Sequence, residues 1–108
     1  MRATVVSRST KDRAILDSGS KALTSDPAPD TPGFGLIDQY PGATIYDLSE
    51  EHGHVDVSAC SPGPEVGEVV TIVPNHACPV SNLYDEVVPH RAGVVVAVLP
   101  VAARGKVR

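Results

Sequence analysis

The sequence predicts a mainly β domain, a small barrel or sandwich with little helix. Three observations carry that reading. Ten prolines and nine glycines in 108 residues leave little room for long helices. Apolar residues come in short runs rich in valine and isoleucine, with turn signals every few residues. No stretch shows the 3.6-residue apolar period of an amphipathic helix. At this length residues 1–108 read as one domain with a modest core. With one phenylalanine, three tyrosines and no tryptophan, that core must be built from Val, Ile, Leu and Ala.

Residues 3–7 (Ala-Thr-Val-Val-Ser) read as a first strand, 9–12 as a turn and 13–17 as a second strand. Ser18-Gly19-Ser20 breaks that strand. Residues 24–32, with prolines at 27, 29 and 32, form an extended loop with little capacity to pack. Gly33-Phe34-Gly35-Leu36-Ile37 reads as a short strand whose glycines permit close backbone approach, and 38–42 as a turn marked by Pro41-Gly42. Residues 43–48 give a further strand. His54-Val55-Asp56-Val57 alternates polar and apolar as a half-exposed strand does. After the loop 61–65, Val66-Gly67-Glu68 leads into the β-branched run 69–73. Residues 81–85 suggest a turn or a single helical turn. Strands over 86–90 and 94–99 bracket Arg91-Ala92-Gly93, a three-residue hairpin loop with glycine where a positive φ is wanted. There is no internal repeat.

The charge pattern excludes some functions. A net charge of −4 and the absence of a basic cluster argue against a nucleic-acid surface. All nine Lys and Arg lie in residues 1–21 or 91–108, whereas residues 22–90 hold eleven Asp and Glu and no Lys or Arg. That middle segment reads as a solvated acidic face, or as one that favours a bound cation. No stretch is long enough to span a bilayer and the N-terminus has no apolar signal region, so a cytoplasmic protein is expected. Two cysteines do not make a secreted disulfide framework; a Cys60–Cys78 disulfide is the alternative use of the thiols.

The run 69–73 stops at proline and delivers Pro74-Asn75-His76-Ala77-Cys78-Pro79. If the backbone is extended there, residues i and i+2 share a side, and His76 and Cys78 converge. One imidazole and one thiolate suit Zn²⁺ and leave coordination positions open for water or substrate, as in a catalytic site. His52 and His54 repeat the spacing. A closed site of His52, His54, His76 and Cys78 needs both pairs to meet in space; otherwise His52 lies near an active-site cleft or is hydrogen-bonded in the core, with His54 exposed. Glu50 and Glu51 read as surface carboxylates, with general acid–base work as the alternative.

Six blocks come in a fixed order: residues 17–26 (Asp-Ser-Gly-Ser-Lys-Ala-Leu-Thr-Ser-Asp), Gly33-Phe34-Gly35, Leu48-Ser49-Glu50-Glu51-His52-Gly53, Val66-Gly67-Glu68-Val69-Val70, Pro74-Asn75-His76-Ala77-Cys78 and Ala102-Ala103-Arg104-Gly105. Together, from about Thr4 to Arg104, they resemble the C-terminal domain of the D-serine dehydratase/D-threonine aldolase family. These are fold-type III pyridoxal phosphate (PLP) enzymes related to alanine racemases. The resemblance implies a β domain appended to a PLP-bearing α/β barrel, in an enzyme that is a homodimer when complete. It places the Schiff-base lysine in that barrel, so Lys21 is read as a structural residue beside Asp17 or Asp26, or as solvated.

The resemblance also implies the chemistry. His76 and Cys78 match the two zinc-ligand positions. In the dehydratase branch the metal takes the β-hydroxyl of D-serine, or another D-3-hydroxy amino acid, as a lysine removes the α-proton, giving a keto acid and ammonia. In the aldolase branch it polarises the hydroxyl whose deprotonation drives Cα–Cβ cleavage, and a carboxylate tends to replace the second ligand. Cys78 therefore tilts the reading towards zinc and dehydration. No catalytic residue is assigned within the chain beyond His52 as a candidate. Residues 1–108 cannot supply the PLP barrel, so the chain is expected to be inactive alone, as an excised domain, a truncated product or one partner of a split enzyme. A non-catalytic metal-binding or dimerisation module is the remaining alternative.

Overall fold

The computed structural model describes residues 1–106, which fall into two compact units, the first ending at His76 and the second beginning at Ala77. The first unit is an antiparallel β barrel. Its strands are β1 (Arg2–Thr10), β2 (Arg13–Leu16), β3 (Leu36–Ile37), β4 (Thr44–Leu48), β5 (Gly53–Asp56) and β6 (Val69–Val73), with a helical turn α1 (Ser20–Leu23) between β2 and β3. The hydrogen-bonded order is β3-β6-β1-β2-β5-β4. The two ends of that order meet where the Phe34 N–H donates to the Ile45 carbonyl at 2.9 Å, which nearly closes the barrel.

Alternation explains the interior. Ala3 and Val5 of β1, Ala14 and Leu16 of β2, Ile45 of β4, Val55 of β5, and Val70 and Ile72 of β6 all point inward and are buried. Their neighbours Val6, Val69 and Val73 face out. The core is aliphatic as expected; Phe34, Tyr40 and Cys60 pack against its margin. The turn after β3 is tied to β6 by Gln39, whose Oε1 accepts from the Thr71 N–H at 2.8 Å, and whose Nε2 donates to Thr71 Oγ1 at 3.2 Å.

The expected strand over 33–37 shortens to its last two residues. Gly33 and Gly35 adopt φ of +76° and +129°, outside the extended region, and this backbone forms the barrel seam instead of a regular ladder. The first strand is longer than expected, running to Thr10, with only Lys11 and Asp12 left for the turn.

The second unit opens with helix α2 (Ala77–Leu83), followed by β7 (Glu86–Val87), β8 (His90–Arg91), β9 (Val94–Val95) and β10 (Leu99–Pro100). β7 pairs antiparallel with β10, and β8 with β9. The β8–β9 loop holds two residues instead of the expected three: Ala92 and Gly93 both take positive φ, +48° and +80°, as a type I′ turn requires. Among the described residues no helix is long and apolar enough to cross a membrane.

Candidate metal centre

His76 lies three residues beyond β6, at the end of the first unit. Its Nδ1 sits 2.7 Å from Asp26 Oδ2, and both side chains are about half exposed, at 50% and 47%. Asp26 comes from the proline-punctuated loop, which is far from unstructured here. The Asp26 N–H donates to Thr24 Oγ1 at 3.1 Å, and the Asp26 carbonyl accepts from Asn75 Nδ2 at 3.1 Å. The same Asn75 amide donates to the Gly33 carbonyl at 2.8 Å. The residue beside His76 therefore staples both ends of the loop to the segment that carries the imidazole.

The chain between His76 and Cys78 is not extended. Helix α2 begins at Ala77, with Cys78 and Pro79 in its first turn, where a proline is tolerated because its missing N–H has no intrahelical partner. The alternation argument for bringing the two side chains to one side thus does not apply to this backbone. Each donor is nevertheless suited to a soft divalent cation. His76 Nε2 has no hydrogen-bond partner among the described residues, and Cys78 is an exposed free thiol. Cys60 is also a free thiol, so the disulfide alternative is not realised.

The closed four-ligand arrangement is not formed: among the described residues no three His, Cys, Asp or Glu side chains gather as a metal site. His52 is not a core histidine but an exposed residue of the β4–β5 turn, where its N–H donates to Ser49 Oγ at 3.1 Å and its carbonyl accepts from the Ser49 N–H at 2.9 Å. His54, expected to be exposed, is half-buried on β5. Arg13 Nη2 donates to its Nδ1 at 3.0 Å, and its ring lies 6.2 Å from that of Tyr46.

Lys21 pairs with neither Asp17 nor Asp26. Asp17 Oδ1 accepts from the Thr4 N–H at 2.6 Å and Asp26 is engaged by His76, so Lys21 reaches Glu50 Oε2 at 2.9 Å and Glu51 Oε1 at 2.7 Å. The hydrogen bond and charge of Lys21 hold Glu50 below its ordinary value of 4.5, while the two carboxylates raise Lys21. A depressed carboxylate stabilises the fold above its unfolded value and loses that contribution as pH falls through the folded one. Replacing Lys21 by Met is therefore expected to lower the melting temperature slightly at pH 7. That difference should fade as pH is lowered past about 4, which thermal melts across pH check.

Sequence reading missed the role of Asp26 and Asn75. The two contacts to Asp26 span 49 and 50 residues, and no local pattern announces them. Their presence within two of the ordered blocks was the available signal.

Comparison with known proteins places the fold in a family. Residues 1–89 match the family model described as "Putative serine dehydratase domain". A D-threonine aldolase of an Arthrobacter species is 39% identical over 103 residues, which make up 95% of this chain and 26% of that protein. An uncharacterised protein of Mycobacterium tuberculosis is 42% identical over 108 residues, covering 96% of this chain and 81% of that protein. The crystal structure of D-threonine aldolase from Filomicrobium marinum superposes with a TM-score of 0.84 at 33% identity, over 99% of this chain and 28% of that one. D-threo-3-hydroxyaspartate dehydratase from a Delftia species shares the fold, with a TM-score of 0.70 at 23% identity, over 93% of this chain and 31% of that one. The chain thus spans about a quarter of the length of the aldolases it matches. A mainly β, nearly closed barrel, a match over residues 1–89 and these relatives agree: the chain belongs to the serine dehydratase domain family and corresponds to the C-terminal β domain of the D-threonine aldolases.

Proposed function

We propose that this domain contributes His76 and Cys78 as zinc ligands to a PLP-dependent lyase acting on a D-3-hydroxy amino acid, with elimination to a keto acid and ammonia. The observation that carries the reading is His76: its Nδ1 is occupied by a carboxylate and its Nε2 is bonded to no described residue, two residues before an exposed thiol. The bound groups would supply a Lewis acid at the β-hydroxyl oxygen and, from PLP on a partner barrel, an electron sink at Cα. The domain's own residues hold donor atoms: Asp26 orients the imidazole, Asn75 and Thr24 fix Asp26, and Cys78 enters as thiolate. His52, exposed on the β4–β5 turn, is the remaining candidate for contact with substrate. The domain is read as inactive alone and as part of a cytoplasmic homodimer when joined to its barrel.

The metal content of the purified chain tests this. About one zinc per chain is expected, lost in both His76→Ala and Cys78→Ala and kept in His52→Ala and His54→Ala. Zinc retained in either of the first two variants would sink the assignment.

Two relatives favour a second reading. Both the Arthrobacter and the Filomicrobium proteins are D-threonine aldolases, at 39% and 33% identity. An aldolase-type site, with oxygen and nitrogen donors, should discriminate less between Zn²⁺ and Mn²⁺ than one in which the Cys78 thiolate binds zinc. Competition between the two ions on wild type and Cys78→Asp separates these readings, the dehydratase-type reading expecting a marked fall in zinc preference on substitution. The mycobacterial relative, of which this domain covers 81%, supports a third. In that case the domain serves as a metal-binding or dimerisation module, and zinc binding would persist without lyase activity in the presence of any barrel.

A further inference from the structure

We infer that Asp26 is the positioning residue for His76: it fixes the imidazole as the Nδ1-protonated tautomer and so presents Nε2 as the donor atom. The zinc part of the argument rests on the proposed function; the tautomer does not. An ionised carboxylate can only accept, so at 2.7 Å the shared proton belongs to Nδ1. In the neutral ring Nε2 is then left with its lone pair, the form in which a histidine ligates a metal.

The way Asp26 is held argues that this contact is built into the fold. Both of its backbone groups are committed, the N–H to Thr24 Oγ1 and the carbonyl to Asn75 Nδ2. Thr24 is 9% exposed and takes φ of +64°, a conformation that a β-branched residue adopts only when its surroundings impose it. Asn75 precedes His76 directly, so the backbone of the carboxylate and the imidazole are fixed to one short segment. As a stabilising ion pair the contact contributes little, because both partners are about half exposed. Orientation is what such a pair supplies: a ligating imidazole is ordinarily steered, and made more basic, by a carboxylate on its other nitrogen.

The test uses the metal-free 108-residue chain labelled with ¹⁵N, at a pH where imidazoles are neutral. Long-range ¹H–¹⁵N correlations should show His76 chiefly as the Nδ1–H tautomer in wild type. In Asp26→Ala it should pass to the Nε2–H form preferred by an unconstrained neutral histidine side chain, while Asp26→Asn, whose amide oxygen still accepts, should retain the wild-type form. His52 and His54 serve as internal references that should not change. Zinc affinity, measured by chelator competition, should fall about 10–100-fold in Asp26→Ala and less in Asp26→Asn. Asn75→Ala, which frees Asp26 without removing it, should move both readouts in the same direction and serves if Asp26→Ala fails to fold. An unchanged tautomer in both alanine variants would overturn the inference, as would unchanged zinc affinity in a wild type that binds zinc through His76. Absence of zinc binding in wild type would instead remove the proposed function, and the tautomer comparison would still decide the role of Asp26.

Discussion

Gly33→Ala is expected to unfold much of the barrel at temperatures where wild type is native. Two effects add at this position. The backbone has φ of +76°, where an L side chain costs about 1–2 kcal/mol. A Cβ would also lie 2.2 Å from the Ile45 carbonyl oxygen and 3.1 Å from Thr44 Cγ2. The first contact is with backbone, so β4 must move, and overpacking of this kind costs roughly 1–3 kcal/mol or more. The oxygen concerned also accepts the Phe34 N–H across the seam. A loss of about 3 kcal/mol corresponds to a fall in Tm of roughly 12–24 °C for a domain of this size.

Gly67→Ala supplies the control. Gly67 has φ of +89° but nothing within 4 Å of an added Cβ, so it isolates the conformational part. Gly33→Ala should melt well below Gly67→Ala; equal melting temperatures would show that the seam tolerates the methyl. Because the Gly33 carbonyl accepts from Asn75, Gly33→Ala should also weaken the proposed zinc binding at His76, which Gly67→Ala should not do.

The strands were legible because burial is one-sided. Residues 3, 5, 70 and 72 alternate with outward neighbours, and that alternation is written directly in the order of side chains. The aliphatic core followed from composition for the same reason. What could not be read depends on contacts between distant residues. Lys21 was given the acids nearest in sequence, but Asp17 is engaged by the Thr4 N–H and Asp26 by His76; the partners that remain lie about 30 residues on. Helix α2 was missed over its first residues because Pro79 reads as a helix breaker when its place in the first turn is unknown. For the candidate metal centre, His76 and Cys78 stand out in the sequence by residue type, although the helix that starts at Ala77 removes the spacing argument for their convergence. The carboxylate behind His76 was not legible, since nothing local joins positions 26 and 76.

The blocks that resemble the dehydratase family invite a catalytic reading of residues 17–26, and Gly19→Ala is expected to show that much of that motif is backbone packing. Gly19 has φ of −105°, open to any residue, so the case rests on space alone. An added Cβ would lie 2.3 Å from the Ser49 carbonyl oxygen and 2.6 Å from both C and O of Glu50. Two hydrogen bonds cross the same contact, from the Ser20 N–H to Ser49 O at 2.9 Å and from the Lys21 N–H to Glu50 O at 3.1 Å. Two of the ordered blocks therefore meet main chain to main chain, and only a residue without a side chain fits between them. Separating them should cost roughly 3 kcal/mol, from overpacking together with the strained or lost hydrogen bonds. Thermal melts of Gly19→Ala and Lys21→Met then divide the motif between its backbone and its charge. A large fall for the glycine variant beside a small one for the lysine variant assigns the motif to the turn contact that positions His52. The reverse order would mean that the Lys21 ion pairs hold these segments together, and that the close approach at Gly19 relaxes without loss.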